Sequence, residues 1–321
     1  MEKKRIAYLD FIKILAMFIV TVEHCAQSLS TQMFPGKIIP NDFFIATHMP
    51  LFMIASGFVL NFDKIRATPL KEYIHNKFSR LIIPMFAWIV IHCITSMHVP
   101  KIKGLLFIYW YLASLFFSLV TIKLISAFIK NNTTLIIVSL LAVLAIPLST
   151  ISHTNYIFPF LIYGYLLRKC IDRMNFTYAI LFGAAFLALY TFCWKLEHTV
   201  YISPLNVLDL NSEMVHSFIL RLAIGITGST FIFLIAKKYD HTAFIQGISK
   251  YGKYTLVFYT MTTVINGITR EILSSINAGI TSPLLLDIAA IIFAIVQMYI
   301  IYIFARIIEK NKQASKILLG N

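Results

Sequence analysis

The chain has 321 residues, of which 59% are hydrophobic and only 13% charged, and its mean hydropathy of +0.78 excludes a water-soluble globular protein. Its formal net charge of +14 would suit nucleic acid, but the cations lie in the short breaks between apolar segments, so no nucleic-acid partner is expected. The composition predicts an all-α, polytopic integral membrane protein, surrounded by membrane lipids and folded as a single domain over residues 1–321.

Ten apolar segments are predicted to cross the membrane. They are 6–27, 43–62, 79–98, 104–129, 133–151, 155–170, 177–195, 214–236, 253–272 and 284–307. With ten spans both termini lie on the same side, where the breaks hold 21 Lys and Arg against five on the other side. The positive-inside rule then predicts cytoplasmic termini in a cell inner membrane. The two long outer breaks, Ser28–Asp42 and 195–213, could cover a site.

The first span, Arg5–Cys25, carries four ionisable residues: Asp10, Lys13, Glu23 and His24. One such group near the middle of a span costs about 2.5–3.5 kcal/mol on insertion scales, so four of them need a reason. Lys13 and His24 fall on nearly the same side of a helix, about 16 Å apart along its axis. The polar stripe predicts a helix that faces a polar interior; the alternative is packing between helices with the charges paired. Asp10 can pair with Lys13, whereas Glu23 projects about 100° from His24.

The second span contains HMPLFMIASGFVL at 48–60. Its Ser56 and Gly57 are small residues that let another helix or a ligand come close. His48 either lines the same cavity as His24 or is a histidine satisfied at a loop edge.

Two further groups of polar residues each allow two interpretations. Lys77 and Arg80, one turn apart at the start of the third span, indicate either an anion site or an orientation anchor. Arg221 in the eighth span either pairs with an acid such as Glu213 or contacts a substrate anion.

The four cysteines lie in or beside apolar runs, so buried thiols are expected, with neither a disulfide nor a metal site.

Taken in order, these segments resemble the acyltransferase 3 family of integral membrane acyltransferases. The resemblance covers nearly the whole chain, and the residues that carry it are Tyr8-Leu9-Asp10 with Lys13 and His24, His48 to Phe52, Ser56-Gly57-Phe58, Lys77, Arg80, Leu81 and Pro84, and more weakly Trp110 to Leu112, Phe158 to Phe160, Gly164-Tyr165 and Gly252 to Leu256 with Tyr259. Two positions depart from the pattern. Lys13 stands where the family usually has arginine, and Thr262 stands where it often has histidine.

The resemblance implies an enzyme that moves an acyl group, commonly acetyl, from cytoplasmic acyl-CoA to a hydroxyl of a lipid-linked or surface saccharide. His24 would act as general base or acyl carrier. Lys13 and Asp10 would assist catalysis. The donor and substrate would be bound by Lys77, Arg80, His48, Ser56 and Gly57.

Two other classes of function stay open at this point. A transporter or flippase that exports a glycan subunit would also need many spans with buried charges. A non-enzymatic sensor or scaffold is a third reading, and a homo-oligomer is compatible with all three.

Overall fold

The structure is a computed structural model that describes residues 6–30, 46–96, 108–145, 153–275 and 279–320. These residues form thirteen principal α-helices and no strand beyond a single backbone bridge between Ser30 and Ile280. The all-α fold predicted from the composition is confirmed. Of the predicted outer break at Ser28–Asp42, the part after Ser30 lies outside the described residues.

The helices are α1 (Ala7–Leu29), α2 (His48–Phe58), α3 (Phe62–Ala67), α4 (Leu70–Lys77), α5 (Ile83–Ser96), α6 (Trp110–Ser126), α7 (Asn132–Ala145), α8 (Thr154–Cys170), α9 (Phe176–Cys193), α10 (Ser212–Lys238), α11 (Ala243–Ser249), α12 (Thr255–Ser275) and α13 (Pro283–Glu309). A π-helical turn, Phe78–Ile82, joins α4 to α5 without a break. Another π-helical turn, Ser315–Leu319, follows α13.

Four helical stretches in the described ranges are long and apolar enough to cross a membrane: Leu70–Thr95, Phe176–Cys193, Ser212–Lys238 and Pro283–Glu309. The apolar helices α2, α6 and α7 are shorter. A helix overlaps each of the ten segments predicted from the sequence, but only the four stretches above are long and apolar enough to cross a membrane among the described residues, so the ten spans are not confirmed. The helix predicted at 79–98 begins earlier than expected, because the continuous helical stretch in this region starts at Leu70. Long apolar helices of this kind are those of a multi-pass membrane protein.

Helix α1 lies at the centre of the described fold. It packs against α2, α12 and α13, and its first turns meet α11. Residues on most of its surface are therefore buried, including the charged Asp10 and Glu23. The burial of these two acids fits both interpretations of the polar stripe, a helix that faces a polar interior and packing between helices with the charges paired.

Helices α2 and α8 cross so closely that their backbones touch at two glycines. A Cβ atom added to Gly57 would lie 1.9 Å from the carbonyl oxygen of Leu161, and one added to Gly164 would lie 2.2 Å from that of Ile54. The pairing of residue 57 with 161 and of 54 with 164 makes the two helices antiparallel. Such contacts between small residues are typical of membrane helices.

Lys123 is buried, although the charge count placed it in a polar break. Its side chain is 5% exposed, and Nζ donates hydrogen bonds to the carbonyl oxygens of Ile65 at 2.7 Å and of Arg66 at 3.3 Å. These carbonyls belong to the last turn of α3, where a cation satisfies groups that lack helical partners. Lys123 therefore caps a helix and is weak evidence for the orientation of the chain in the membrane.

Candidate functional site

Four polar side chains form a hydrogen-bonded chain between α1 and α2. Nδ1 of His24 lies 3.3 Å from Oε1 of Gln27, and Nε2 of Gln27 donates to Oε1 of Glu23 at 3.0 Å. The other carboxylate oxygen of Glu23 lies 3.2 Å from Nε2 of His48. Gln27 thus stands between the neighbouring residues Glu23 and His24, which point apart as the helix geometry predicts.

This chain fixes which nitrogen of His24 carries hydrogen. A carboxylate only accepts hydrogen bonds, so the amide NH₂ of Gln27 faces Glu23 and its carbonyl oxygen faces His24. That oxygen also only accepts, so Nδ1 of His24 donates to it. In the neutral ring, Nε2 then bears the lone pair and can take a proton. Glu23 is only 2% exposed, whereas His24 is partly accessible.

The side of α1 next to His24 is held by α12 and α13. The hydroxyl oxygens of Thr21 and Thr262 lie 3.2 Å apart, and the carbonyl oxygen of Thr262 accepts hydrogen bonds from Asn266 and Gln297. Ser28 donates to the carbonyl oxygen of Asn266 at 3.2 Å. Thr262, which stands where the family often has histidine, therefore makes hydrogen bonds between helices.

Lys13 and Asp10 pair with each other at the opposite end of α1. Nζ of Lys13 lies 3.1 Å from Oδ1 of Asp10, as the spacing of three residues predicts. Asp10 also packs against Gly252, where an added Cβ would lie 2.6 Å from the Cβ of the aspartate. Eleven residues of helix, about 16 Å along the axis, separate Lys13 from His24, so the two predicted residues are not in contact.

Lys77 and Arg80 lie at the π-helical turn between α4 and α5. Nζ of Lys77 sits 5.4 Å from the centroid of the Tyr73 ring, and Arg80 is exposed. Nε of Arg80 donates a long hydrogen bond of 3.5 Å to the carbonyl oxygen of Gly320. Arg80 is exposed and Lys77 partly exposed, which is compatible with an anion site and with an orientation anchor.

Ser56 and Gly57, the small pair of the second span, are used within the protein. Oγ of Ser56 lies 3.0 Å from the hydroxyl of Tyr111 and donates to the carbonyl oxygen of Phe52 at 3.1 Å. Gly57 lies in the contact between α2 and α8. In the structure, both residues therefore stabilise helix packing.

A small cavity of about 10 Å³ adjoins His48. Its walls are formed by His48, Met49, Trp110, Tyr156, Trp194, Thr199, Val200, Tyr201 and Arg221. Arg221 is 2% exposed and makes no ion pair among the described residues, so the expected pairing with Glu213 is not found there. Nη1 donates instead to the carbonyl oxygens of His198 at 2.8 Å and Ser203 at 2.7 Å.

A larger groove of about 710 Å³ opens beside this cavity. Most of its lining is polar: Glu197, His198, Ser203, Asn211, Ser212, Glu213, His216 and Ser217, with Ile202 and Met214. Nδ1 of His198 lies 3.0 Å from Oγ of Ser217, and burial, followed by the nearby His216, lowers the pKa of His198. The groove falls on the long polar break at 195–213, which was the signal for it in the sequence.

Sequence reasoning missed Gln27 and the surroundings of Arg221. Glutamine is common in helices, and the importance of Gln27 depends on a histidine from another helix reaching Glu23. The hydrogen-bond partners of Arg221 in the described residues are backbone carbonyls, which carry no sequence signal.

Comparison with known proteins gives one match. A family model, Acyl_transf_3, described as an acyltransferase domain, matches residues 6–303. Neither the curated proteins nor the solved structures gave a match.

Proposed function

The chain belongs to the acyltransferase 3 family, and from this premise we propose that it is a membrane O-acyltransferase. It moves an acyl group, for which acetyl is the common choice in the family, from cytoplasmic acyl-CoA to a hydroxyl of an envelope or surface saccharide. The family match supports acyl transfer in general. The donor, the acceptor and the role of each residue are parts of the proposal, supported by the site geometry.

The observation that carries the proposal is the fixed orientation of His24. Because Gln27 takes the Nδ1 hydrogen, Nε2 is the atom that receives a proton. A sugar hydroxyl is a poor nucleophile until a base removes its proton, and a neutral imidazole suits that task near neutral pH. His24 is partly accessible, as a base that must meet its substrate has to be.

The reaction then runs in two steps. Nε2 of His24 removes the hydroxyl proton of the saccharide as its oxygen attacks the thioester carbonyl carbon, so a C–O bond forms and the carbonyl π electrons move to oxygen. The intermediate collapses, the C–S bond breaks, and the CoA thiolate leaves and takes the proton. In the alternative, Nε2 attacks the thioester carbon, the C–S bond breaks and the CoA thiolate leaves. The saccharide hydroxyl then attacks the acyl-imidazole, the C–N bond breaks, and the hydroxyl proton passes to the released imidazole.

The donor would bind at the cytoplasmic end of the protein. Lys77 and Arg80 would hold CoA phosphates, since two cations one turn apart can contact one anionic group. Lys13 and Asp10, which pair with each other on the central helix, would assist catalysis. This arrangement requires the proposed topology, with ten spans in the inner membrane and cytoplasmic termini. The bias in the distribution of Lys and Arg supports that topology.

Mass spectrometry of surface glycans from cells with and without the protein tests the proposal. We expect an acyl mass increment that depends on the chain and is lost, by about 10²- to 10⁴-fold in transfer rate, in His24→Gln. Glutamine keeps the approximate size and the hydrogen bonding of the ring but cannot take a proton. The matched control is His75→Gln, at an exposed histidine of α4. Normal acylation by His24→Gln would remove His24 from the mechanism and favour a transporter or flippase.

A further inference from the structure

Arg221 presents an unused hydrogen-bonding edge inside the protein. Its Nη1 is occupied by the carbonyl oxygens of His198 and Ser203, but Nε and Nη2 have no hydrogen-bond partner in the described residues. These two nitrogens form one side of the guanidinium, where two N–H bonds run parallel. That geometry matches the two oxygens of a carboxylate or a phosphate.

The charge of Arg221 is also left without an acid. The side chain is 2% exposed, and the groups around it in the described residues are neutral carbonyls and the Tyr156 ring, whose centroid lies 5.3 Å from Cζ. A cation–π contact offsets only part of the cost of removing a guanidinium from water. An anion bound to the open edge would supply the missing charge.

Arg221 is linked both to the small cavity and to the polar groove. It lines the cavity beside His48, which has room for about one water molecule. His198 and Ser203, the two residues whose carbonyls hold Nη1, line the groove. Thr199, Val200 and Tyr201, between those two residues in the sequence, line the cavity. An outward movement of this segment would join the groove to the cavity that Arg221 lines.

We propose that Arg221 binds a carboxylate or phosphate group of the saccharide acceptor, whose neutral part occupies the groove lined by Asn211, Ser217 and their neighbours. The identification of the ligand as the acceptor rests on the proposed acyltransferase function. Arg221 then selects acidic saccharides over neutral ones and holds their acidic group beside the cavity that His48 also lines. His48 is linked to His24 through Glu23 and Gln27.

Direct binding to the purified, full-length protein tests this without acyl transfer. The probes are glucuronate and glucose 1-phosphate as acidic sugars, glucose as the neutral analogue, and CoA as the phosphate-bearing donor. We expect wild-type protein to bind an acidic sugar at least about tenfold more tightly than glucose, because glucose cannot use the charged edge. Equal binding of acidic and neutral sugars would overturn the proposal, and so would CoA binding that depends on Arg221.

Variants locate the binding. Arg221→Lys keeps a cation that can bond the two carbonyls but lacks the fork, so the preference for acidic sugar should fall by about tenfold. The control Lys195→Gln removes an exposed cation of the same segment and should leave the preference unchanged. If Arg221→Lys does not fold, the comparison of acidic and neutral sugars on the wild-type protein still tests the proposal.

Failure of this binding proposal can be distinguished from failure of the proposed acyltransferase function. His24→Gln should bind acidic sugar as wild type does while losing transfer. Binding of acidic sugar that depends on Arg221, in a protein that transfers no acyl group, would support this site and refute the enzyme.

Discussion

The carboxylate of Glu23 lies 3.2 Å from the imidazole of His48, and this contact joins the first two helices of the site. The sequence left open whether His48 lines the same cavity as His24 or is satisfied at a loop edge. In the structure His48 is satisfied by Glu23, the acid that contacts Gln27, and it lines a small cavity whose described lining does not include His24.

Gln27 is expected to act as a positioning residue. Gln27→Leu keeps the approximate size but removes both hydrogen bonds, so His24 loses its fixed tautomer and kcat should fall by about tenfold with little change in the KM for acyl-CoA. Kinetics of the purified protein measure this. The matched control is Gln246→Leu, which removes an exposed amide that donates to the carbonyl oxygen of Asp240. Equal kcat in both variants would show that the tautomer is set in another way.

Arg80 is expected to contribute to donor binding. In Arg80→Ala the KM for acyl-CoA should rise by about tenfold while kcat changes less, because an interaction made equally in ground and transition states is lost. Lys71→Ala, at an exposed cation of α4, serves as the control. An unchanged KM in a well-folded Arg80→Ala protein would favour the orientation anchor.

Gly57→Ala should disrupt the crossing of α2 and α8. The added Cβ would lie 1.9 Å from a backbone oxygen, so the helices must separate at a cost of about 3 kcal/mol. Gly247 in α11 offers the opposite case, because nothing lies within 4 Å of its added Cβ. Gly247→Ala should therefore stabilise the protein by about 0.5–1 kcal/mol. Thermal unfolding in detergent compares the two, and a similar effect of both substitutions would contradict the close crossing.

The proposed topology can be tested with an impermeant thiol reagent on intact cells. In a variant without the four natural cysteines, Lys195→Cys should react and Lys312→Cys should not, because the charge bias puts position 195 outside and the chain end inside. Both positions are exposed. The reverse labelling pattern would invert the orientation.

The sequence predicted the features that depend on local spacing. Apolar periodicity located the helices, and a spacing of three residues predicted the pair between Lys13 and Asp10. It also predicted that Glu23 and His24 point apart.

What the sequence left hidden depends on contacts between distant segments. Lys123 looks like a surface cation, but α3 folds back to place its carbonyl groups around the Nζ atom. Arg221 is similar, since its hydrogen-bond acceptors lie on a loop about twenty residues earlier. Every residue has a backbone carbonyl, so the residue types in a sequence do not show which carbonyls will accept these hydrogen bonds.

The crossing of α2 and α8 has a mechanical consequence. Two backbones in direct contact cannot slide without steric clash, so these helices move as one rigid body. His48 begins α2 and Tyr156 lies in the first turn of α8, so the distance between these two walls of the cavity is constant. Any change in the volume of the cavity must then come from its other walls, of which the 199–201 segment belongs to no helix.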